Sequence, residues 1–219
     1  MKKLVIFDCD GVMFSSREAN RAYYNHLLAV FGCPSMNEDE LSYVHSHNVQ
    51  ASVTHIFRNH PEISPEKIEQ CRSTLDYRPF LDYMIIEPDL IDFLRLITPG
   101  RHTAVSTNRT NTMEMILDIF KLRPWFEMVV TSVNVPRPKP APDGLYMILD
   151  HFKTTTAESI YIGDSEVDRE HCAAVGVDLI AFKNPDLAAE YHVQSFMEIL
   201  DLPPMREPGT GLTMTPENG

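Results

Sequence analysis

The sequence predicts an α/β protein, a Rossmann-like parallel sheet carrying a small all-helical insertion, and three observations predict it. A short apolar run, Leu4-Val-Ile-Phe7, ends abruptly in Asp8-Cys9-Asp10-Gly11, as a buried parallel strand ends at the carboxyl edge of a sheet. From residue 87 onward, helical and strand patterns alternate at the period of βαβ units. Between the two, residues 15–86 carry apolar residues at helical spacing and no convincing strand. Residues 1–14 and 87–201 are therefore assigned to one core, and 15–86 to a helical unit placed after the first strand.

The elements follow in order. In the insertion, Tyr23, Leu27, Leu28 and Phe31 mark one helix face, and Val53, Ile56 and Phe57 mark another. Pro88 to Ile97 reads as a helix closed by Pro99-Gly100, and His102 to Ser106 as a strand with Thr107-Asn108 at its end. Asn111 with Glu114 resembles a capping pair that opens a helix to Leu122, with Met115, Ile116, Ile119 and Phe120 on its apolar side. Met128 to Thr131 is the next strand, followed by the loop Val135-Pro-Arg-Pro-Lys-Pro-Ala-Pro142 and a helix from Pro142 to Phe152. Ser159 to Ile162 is a strand that runs into Gly163-Asp164-Ser165. A helix from Glu166 to Val175 ends at Gly176, a left-handed C-cap, and Leu179 to Phe182 makes the last strand. Helical fragments are expected at 186–191 and 194–200. The tail from Leu202 to Gly219, rich in Pro, Gly, Thr and Met without periodicity, is expected to be disordered.

The net charge of −12 over 219 residues argues against nucleic acid and anionic membranes, which need a basic footprint. No apolar stretch approaches membrane-spanning length, and the run after Met1-Lys2-Lys3 is too short for a signal peptide. Cys9, Cys33, Cys71 and Cys172 are scattered without metal-ligand spacing, so free thiols and a cytoplasmic location are expected.

Chemistry concentrates at predicted strand ends. Like charges as close as Asp8 and Asp10 need a metal, a basic partner or full solvation. Thr107, Lys139 and the pair Asp164 and Asp168 follow other strands. In an open α/β sheet these ends converge on one crevice, with Lys139 expected within reach of Asp8. Carboxylates, a hydroxyl and a lysine together suit a phosphate group and a hard cation such as magnesium. The spacing agrees: 32 residues from Thr107 to Lys139 and 25 from Lys139 to Asp164 fit single βαβ steps, while the longer first gap holds the insertion.

Phe7-Asp-Cys-Asp-Gly11, Thr107-Asn108, Lys139-Pro-Ala-Pro-Asp143 and Gly163-Asp-Ser-Glu-Val-Asp168 resemble, in order, the four motifs of the haloacid dehalogenase superfamily, with residues 15–86 similar to that family's cap. The resemblance implies that Asp8 is a nucleophile forming an aspartyl-phosphate and that Asp10 is the general acid and base. It implies that Thr107, Asn108 and Lys139 bind the phosphoryl oxygens. Mg²⁺ would be held by Asp8, Asp164 and the Asp10 backbone carbonyl, with Ser165 and Asp168 in support.

Competing readings stand beside these. Ser165 and Asp168 form an S-x-x-D pattern that also caps a helix, and both roles can coexist. Pro136, Pro138, Pro140 and Pro142 never fall three apart, which disfavours a PxxP ligand around Lys139. Thr107 and Asn108 also suit a helix approach and turn. His26, His45, His47, His55 and His60 lack an accompanying cysteine or acid pattern, so they read as surface or substrate-facing groups rather than a transition-metal site. Arg17, His47, Asn48 and Gln50 are the candidate substrate contacts of the cap.

Within the resemblance, Asp10 and Asp164 argue against carbon–halogen cleavage, and the lack of lysine between Ser15 and Glu66 argues against a Schiff-base phosphonate hydrolase. The first reading is a Mg²⁺-dependent phosphatase of a small phosphorylated metabolite, like phosphoglycolate or sugar-phosphate phosphatases. A sugar phosphomutase comes second, and a non-catalytic metabolite-binding protein that keeps the fold comes third.

Overall fold

The computed structural model describes residues 1–110 and 112–206. Asn111 of the expected capping pair and the tail from residue 207 lie outside them. The core is a six-stranded parallel sheet: β1 (Leu4–Phe7), β4 (His102–Ser106), β5 (Met128–Val130), β6 (Ser159–Gly163), β7 (Asp178–Phe182) and β8 (Tyr191–Val193). Its spatial order is β5-β4-β1-β6-β7-β8. From β1 the chain first builds outward through β4 to β5, then returns across the sheet to place β6 on the other side of β1. The winding direction therefore reverses between β1 and β6, the point at which such sheets open a crevice beyond their carboxyl ends.

Strand alternation explains why the strands read as continuous apolar runs. Val5 and Phe7 of β1 face one core, packed with Phe93 of α6 (Leu90–Ile97), Ile116 of α7 (Thr112–Ile119) and Phe196 of α10 (Phe196–Ile199). Leu4 and Ile6 face a second core beneath α8 (Asp143–Phe152) and α9 (Glu166–Ala173). Both faces are covered, so the central strand β1 carries apolar side chains throughout. Gly176 does end the helical region with φ +83°, as the sequence predicts.

Residues 17–81 contain α1 (Arg17–Val30), α2 (Glu38–Ser46), α3 (Val49–Ile56), α4 (Pro65–Thr74) and α5 (Arg78–Leu81). Their caps are written in the sequence: Asn37 and Glu40 make a capping box for α2, Asn48 caps α3, and Ser64 with Pro65 opens α4. Two short strands, β2 (Phe14–Ser15) and β3 (Ile85–Ile86), pair antiparallel where the chain leaves and re-enters the core. They are too short to show an alternating pattern. The apolar core on the Val5 face continues into these helices through Tyr23, Leu27 and Leu41.

Two expectations are corrected. Residues 186–191 are not helical; Tyr191–Val193 form the edge strand β8 against β7, and His192 Nε2 lies 2.8 Å from Leu187 O. The start of the tail is ordered: Leu202 leads into a 3₁₀ turn over Pro203–Met205. Lys2 N donates to Pro204 O at 3.1 Å, Arg101 Nη2 donates to Met205 O at 2.6 Å, and Met205 is buried. Sequence periodicity cannot register a segment held by backbone bonds to distant residues. Among the described residues no helix is long and apolar enough to cross a membrane, and the four cysteines are free.

Candidate active site

β1 delivers Asp8 to the crevice floor, and the chain then turns sharply, with Gly11 N donating to Phe14 O and both Met13 N and Phe14 N donating to Cys9 O. Gly11 holds φ +79°, a left-handed conformation suited to glycine. A Cβ there would lie 1.9 Å from Asp164 Oδ2, so the absence of a side chain at residue 11 is what lets Asp164, after β6, reach across to β1. The turn turns the carboxylate of Asp10 into the same cavity, while Cys9 points the other way into the apolar core.

The loop after β5 brings Lys139 in from the side. Its Nζ lies 2.8 Å from Asp8 Oδ1, 2.7 Å from Asp168 Oδ1 and 3.0 Å from the Tyr161 hydroxyl. These three contacts account for all three ammonium protons. Asp168 is completely buried, and its other oxygen accepts from Ser165 Oγ at 2.7 Å and from the backbone N–H of Asp164 and Ser165. Ser165 in turn caps α9, so the capping and supporting roles of this pair coexist.

Charge follows geometry. Burial pushes the Asp8 carboxyl up to about 7, against the downward pull of Lys139. Burial also raises Asp164, and the neighbouring Asp168 and Asp8 push it well above the usual carboxylate range. Asp168, which burial alone would raise, is held low by Lys139 and its hydrogen bonds. Lys139 is raised because the two carboxylates outweigh its burial.

One oxygen from each of Asp8, Asp164 and Asp168 falls within 4.8 Å of the others. Asp168 is saturated by its donors, which leaves Asp8 and Asp164 as the carboxylates open to a cation. Two carboxylates raised first by burial and then by neighbouring negative charge are what a hard divalent ion relieves, and an all-oxygen donor set suits Mg²⁺ or Ca²⁺.

These groups line a cavity of about 540 Å³ that also includes Thr107, Asn108 and Ser165, with Asn20, Tyr23, His45, His47, Arg72 and Tyr77 on the helical side. Thr107 is buried at the end of β4, and its Oγ1 accepts from Arg109 N. Asn108 does more bracing than expected: its Nδ2 donates to Lys139 O at 3.1 Å.

Of the cap contacts expected from sequence, His47 alone lines this cavity. Arg17 is drawn away by Glu38, at 3.0 Å. Asn48 spends its side chain on Ala51 N to cap α3, and Gln50 is exposed, lining with Asn48 and Pro138 a separate shallow depression.

Arg109, two residues past Thr107, was not singled out by sequence reasoning. It is buried against the cavity, donates from Nη2 to Asp10 Oδ1 and from Nη1 to the Tyr77 hydroxyl at 3.3 Å, and leaves Nε without a partner. Burial would raise Asp10, but the charge and hydrogen bond of Arg109 hold its carboxyl below the usual range. The available signal was a lone cation just beyond a strand end that already carries a candidate site residue.

Comparison with known proteins agrees with this geometry. Residues 5–182 match the haloacid dehalogenase-like hydrolase family. A solved haloacid dehalogenase-superfamily hydrolase of subfamily IA from Geobacter sulfurreducens is 35% identical and superposes with a TM-score of 0.80 over 92% of this chain and 99% of its own. The phosphoglycolate phosphatase of Pseudomonas putida is 23% identical across 98% of this chain and 84% of its own length. CbbY from Rhodobacter sphaeroides, solved in complex with phosphate, shares the fold at 19% identity, with a TM-score of 0.77 over 92% of this chain and 100% of its own. With Asp8, Lys139 and the pair Asp164 and Asp168 converging at the sheet's switch point, and the family match spanning all four of them, the chain belongs to the haloacid dehalogenase-like hydrolases, as a phosphatase among them.

Proposed function

We propose that this phosphatase hydrolyses a small phosphate monoester with the help of Mg²⁺, through a phosphoryl group carried on Asp8. The observation that carries the reading is the convergence of Asp8, Lys139 and Asp164 at one end of the sheet beneath a cavity of small-molecule size. Asp8 and Asp164, with the Asp10 carbonyl, would hold the cation. Bound there, Mg²⁺ would neutralise phosphoryl charge and lower the repulsion between the carboxylates.

The chain's own groups supply the rest. A carboxylate oxygen of Asp8 attacks phosphorus while the ester oxygen departs and takes a proton from Asp10. Asp10, now ionised, accepts a proton from water as that water attacks the phosphorus. The P–O bond to Asp8 breaks, and inorganic phosphate leaves. Thr107 and Lys139, the latter turning toward phosphate the proton it gives Asp8 in the resting chain, hold the non-bridging oxygens and counter the charge that develops on them, the main task of a protein in phosphoryl transfer. The Arg109 pair favours the ionised form of Asp10, which suits it as the base of the second step and works against it as the acid of the first. The helices over the cavity would exclude bulk water during the first.

A phosphate-release assay over small phosphate esters with Mg²⁺, run beside Asp8→Asn, tests the proposal. Turnover of at least one ester, lost in the variant, is expected. No release from any ester, or equal release by both proteins, refutes it; hexose phosphate isomerisation without released phosphate would instead assign a mutase.

A further inference from the structure

His171 on α9 is completely buried behind the crevice, and the chemistry above does not use it. Its Nδ1 lies 2.7 Å from Ala141 O, and its Nε2 lies 3.2 Å from Ser106 Oγ. A carbonyl only accepts, so Nδ1 carries the proton. Burial and the nearby Lys139 push this histidine down to about 4, which leaves the ring neutral and Nε2 bare at ordinary pH. Nε2 therefore accepts from the Ser106 hydroxyl.

The backbone carbonyl of the same Ser106 accepts from the Tyr161 hydroxyl at 2.8 Å, the shorter of that hydroxyl's two acceptor contacts, the other being Asp168 Oδ1 at 3.1 Å. Tyr161 in turn accepts from Lys139 Nζ at 3.0 Å. The result is a continuous buried chain from the Lys139 ammonium through Tyr161, Ser106 and His171 to the carbonyl of Ala141, two residues beyond Lys139. Every proton in it has one assignment except that of the Tyr161 hydroxyl, which Ser106 O and Asp168 Oδ1 share. Space for it is specific: a Cβ on Gly144 would press to 3.3 Å from Ser106 Oγ and 3.7 Å from His171 Cε1.

Resting on the phosphatase reading, we propose that His171 and Tyr161 are positioning residues that fix the distance between the two arms gripping the phosphoryl group. One arm is the Lys139 loop, held at Nζ by Tyr161 and at Ala141 by His171. The other is the end of β4, where Ser106 is gripped at both its carbonyl and its hydroxyl one residue before Thr107. Asp8 and Asp164, the cation's carboxylates, are not links of this chain, although its first member Lys139 also touches Asp8, so Mg²⁺ affinity is read beside phosphate affinity.

The test uses the whole protein loaded with Mg²⁺ and inorganic phosphate as the probe, with calorimetry for both ligands. Tyr161→Phe and His171→Leu are expected to weaken phosphate binding about ten-fold, the scale on which supporting hydrogen bonds act, with Mg²⁺ affinity within two-fold of the parent. His171→Asn, which returns a donor near the Nδ1 position, should recover part of the loss. Phosphate affinity within two-fold of the parent in both variants overturns the proposal. So does a parallel fall in Mg²⁺ affinity, the mark of general loosening.

The ¹⁵N–¹H signal of the Lys139 ammonium supplies a readout that needs no ligand. It should be sharp in the parent and broadened by Tyr161→Phe; an unchanged signal counts against the brace. A parent that binds no phosphate counts against the phosphatase reading, and the ammonium signal then decides the brace.

Discussion

Arg109 meets Asp10 inside the crevice, its Nη2 on Asp10 Oδ1, so the carboxylate assigned to proton transfer is already ion-paired in the resting chain. Arg109→Met removes the influence that holds Asp10 low and leaves burial, which raises it. A general base works above its pKa, so the acidic limb of the kcat profile should move to higher pH in the variant. An unmoved limb in a pH–rate comparison would take Asp10 out of that role.

Lys139 separates two buried carboxylates, and Lys139→Met leaves both without their cation. Breaking a buried ion pair from one side costs about 3–5 kcal/mol. Urea denaturation should report a loss of that order, together with the loss of phosphate release. A variant as stable as the parent would mean that the Asp8 and Asp168 charges are relieved by some other group.

Gly11→Ala places a methyl group on Asp164 and forces a left-handed φ on a residue with a Cβ. The backbone penalty alone is about 1–2 kcal/mol. Displacement of Asp164 should lower Mg²⁺ affinity by an order of magnitude or more, as read by calorimetric titration. Normal affinity would place the cation away from Asp164.

His171 gives the fold a calculable acid sensitivity. Its folded pKa, about 4, lies below the ordinary histidine value of about 6.5, so the unfolded chain binds more protons between those values. Stability from this residue is complete above pH 6.5, falls as pH drops toward 4, and levels off below that. The difference of about 2.5 units amounts to about 3 kcal/mol. His171→Asn should flatten the stability curve over that window, as measured by urea midpoints at pH 7 and pH 4.5. A parallel curve would mean that His171 titrates normally.

Legibility in the sequence followed the physics of each signal. Asp8, Thr107 and Asp164 are readable because charged or hydroxylated residues directly after apolar strands contrast with their surroundings, Lys139 because it stands in the proline-rich loop that follows another strand, and parallel topology brings those ends together. Asp168 reads both as a helix cap and, through the family resemblance, as a supporting site residue; its bond to Lys139, 29 residues away, leaves no local trace. Tyr161 and His171 were hidden because an aromatic inside a buried strand and a histidine inside a helix look like core until their partners are known. On the cap, a contact depends on which helix face turns inward. Arg17, Asn48 and Gln50 sat in the right segment but had nearer partners or faced outward. β8 was missed because three residues are too few to show a period.

Cys9, between the two aspartates in sequence, is wholly buried in the Val5 core, and burial followed by the neighbouring Asp10 charge pushes its thiol well up. A thiol kept protonated and out of reach is neither a competing nucleophile nor an easy target for oxidation. Peroxides and alkylating agents silence phosphatases that act through a cysteine thiolate. Here the described residues lining the crevice include no cysteine, so turnover is expected to survive mild oxidants that silence thiol-dependent phosphatases.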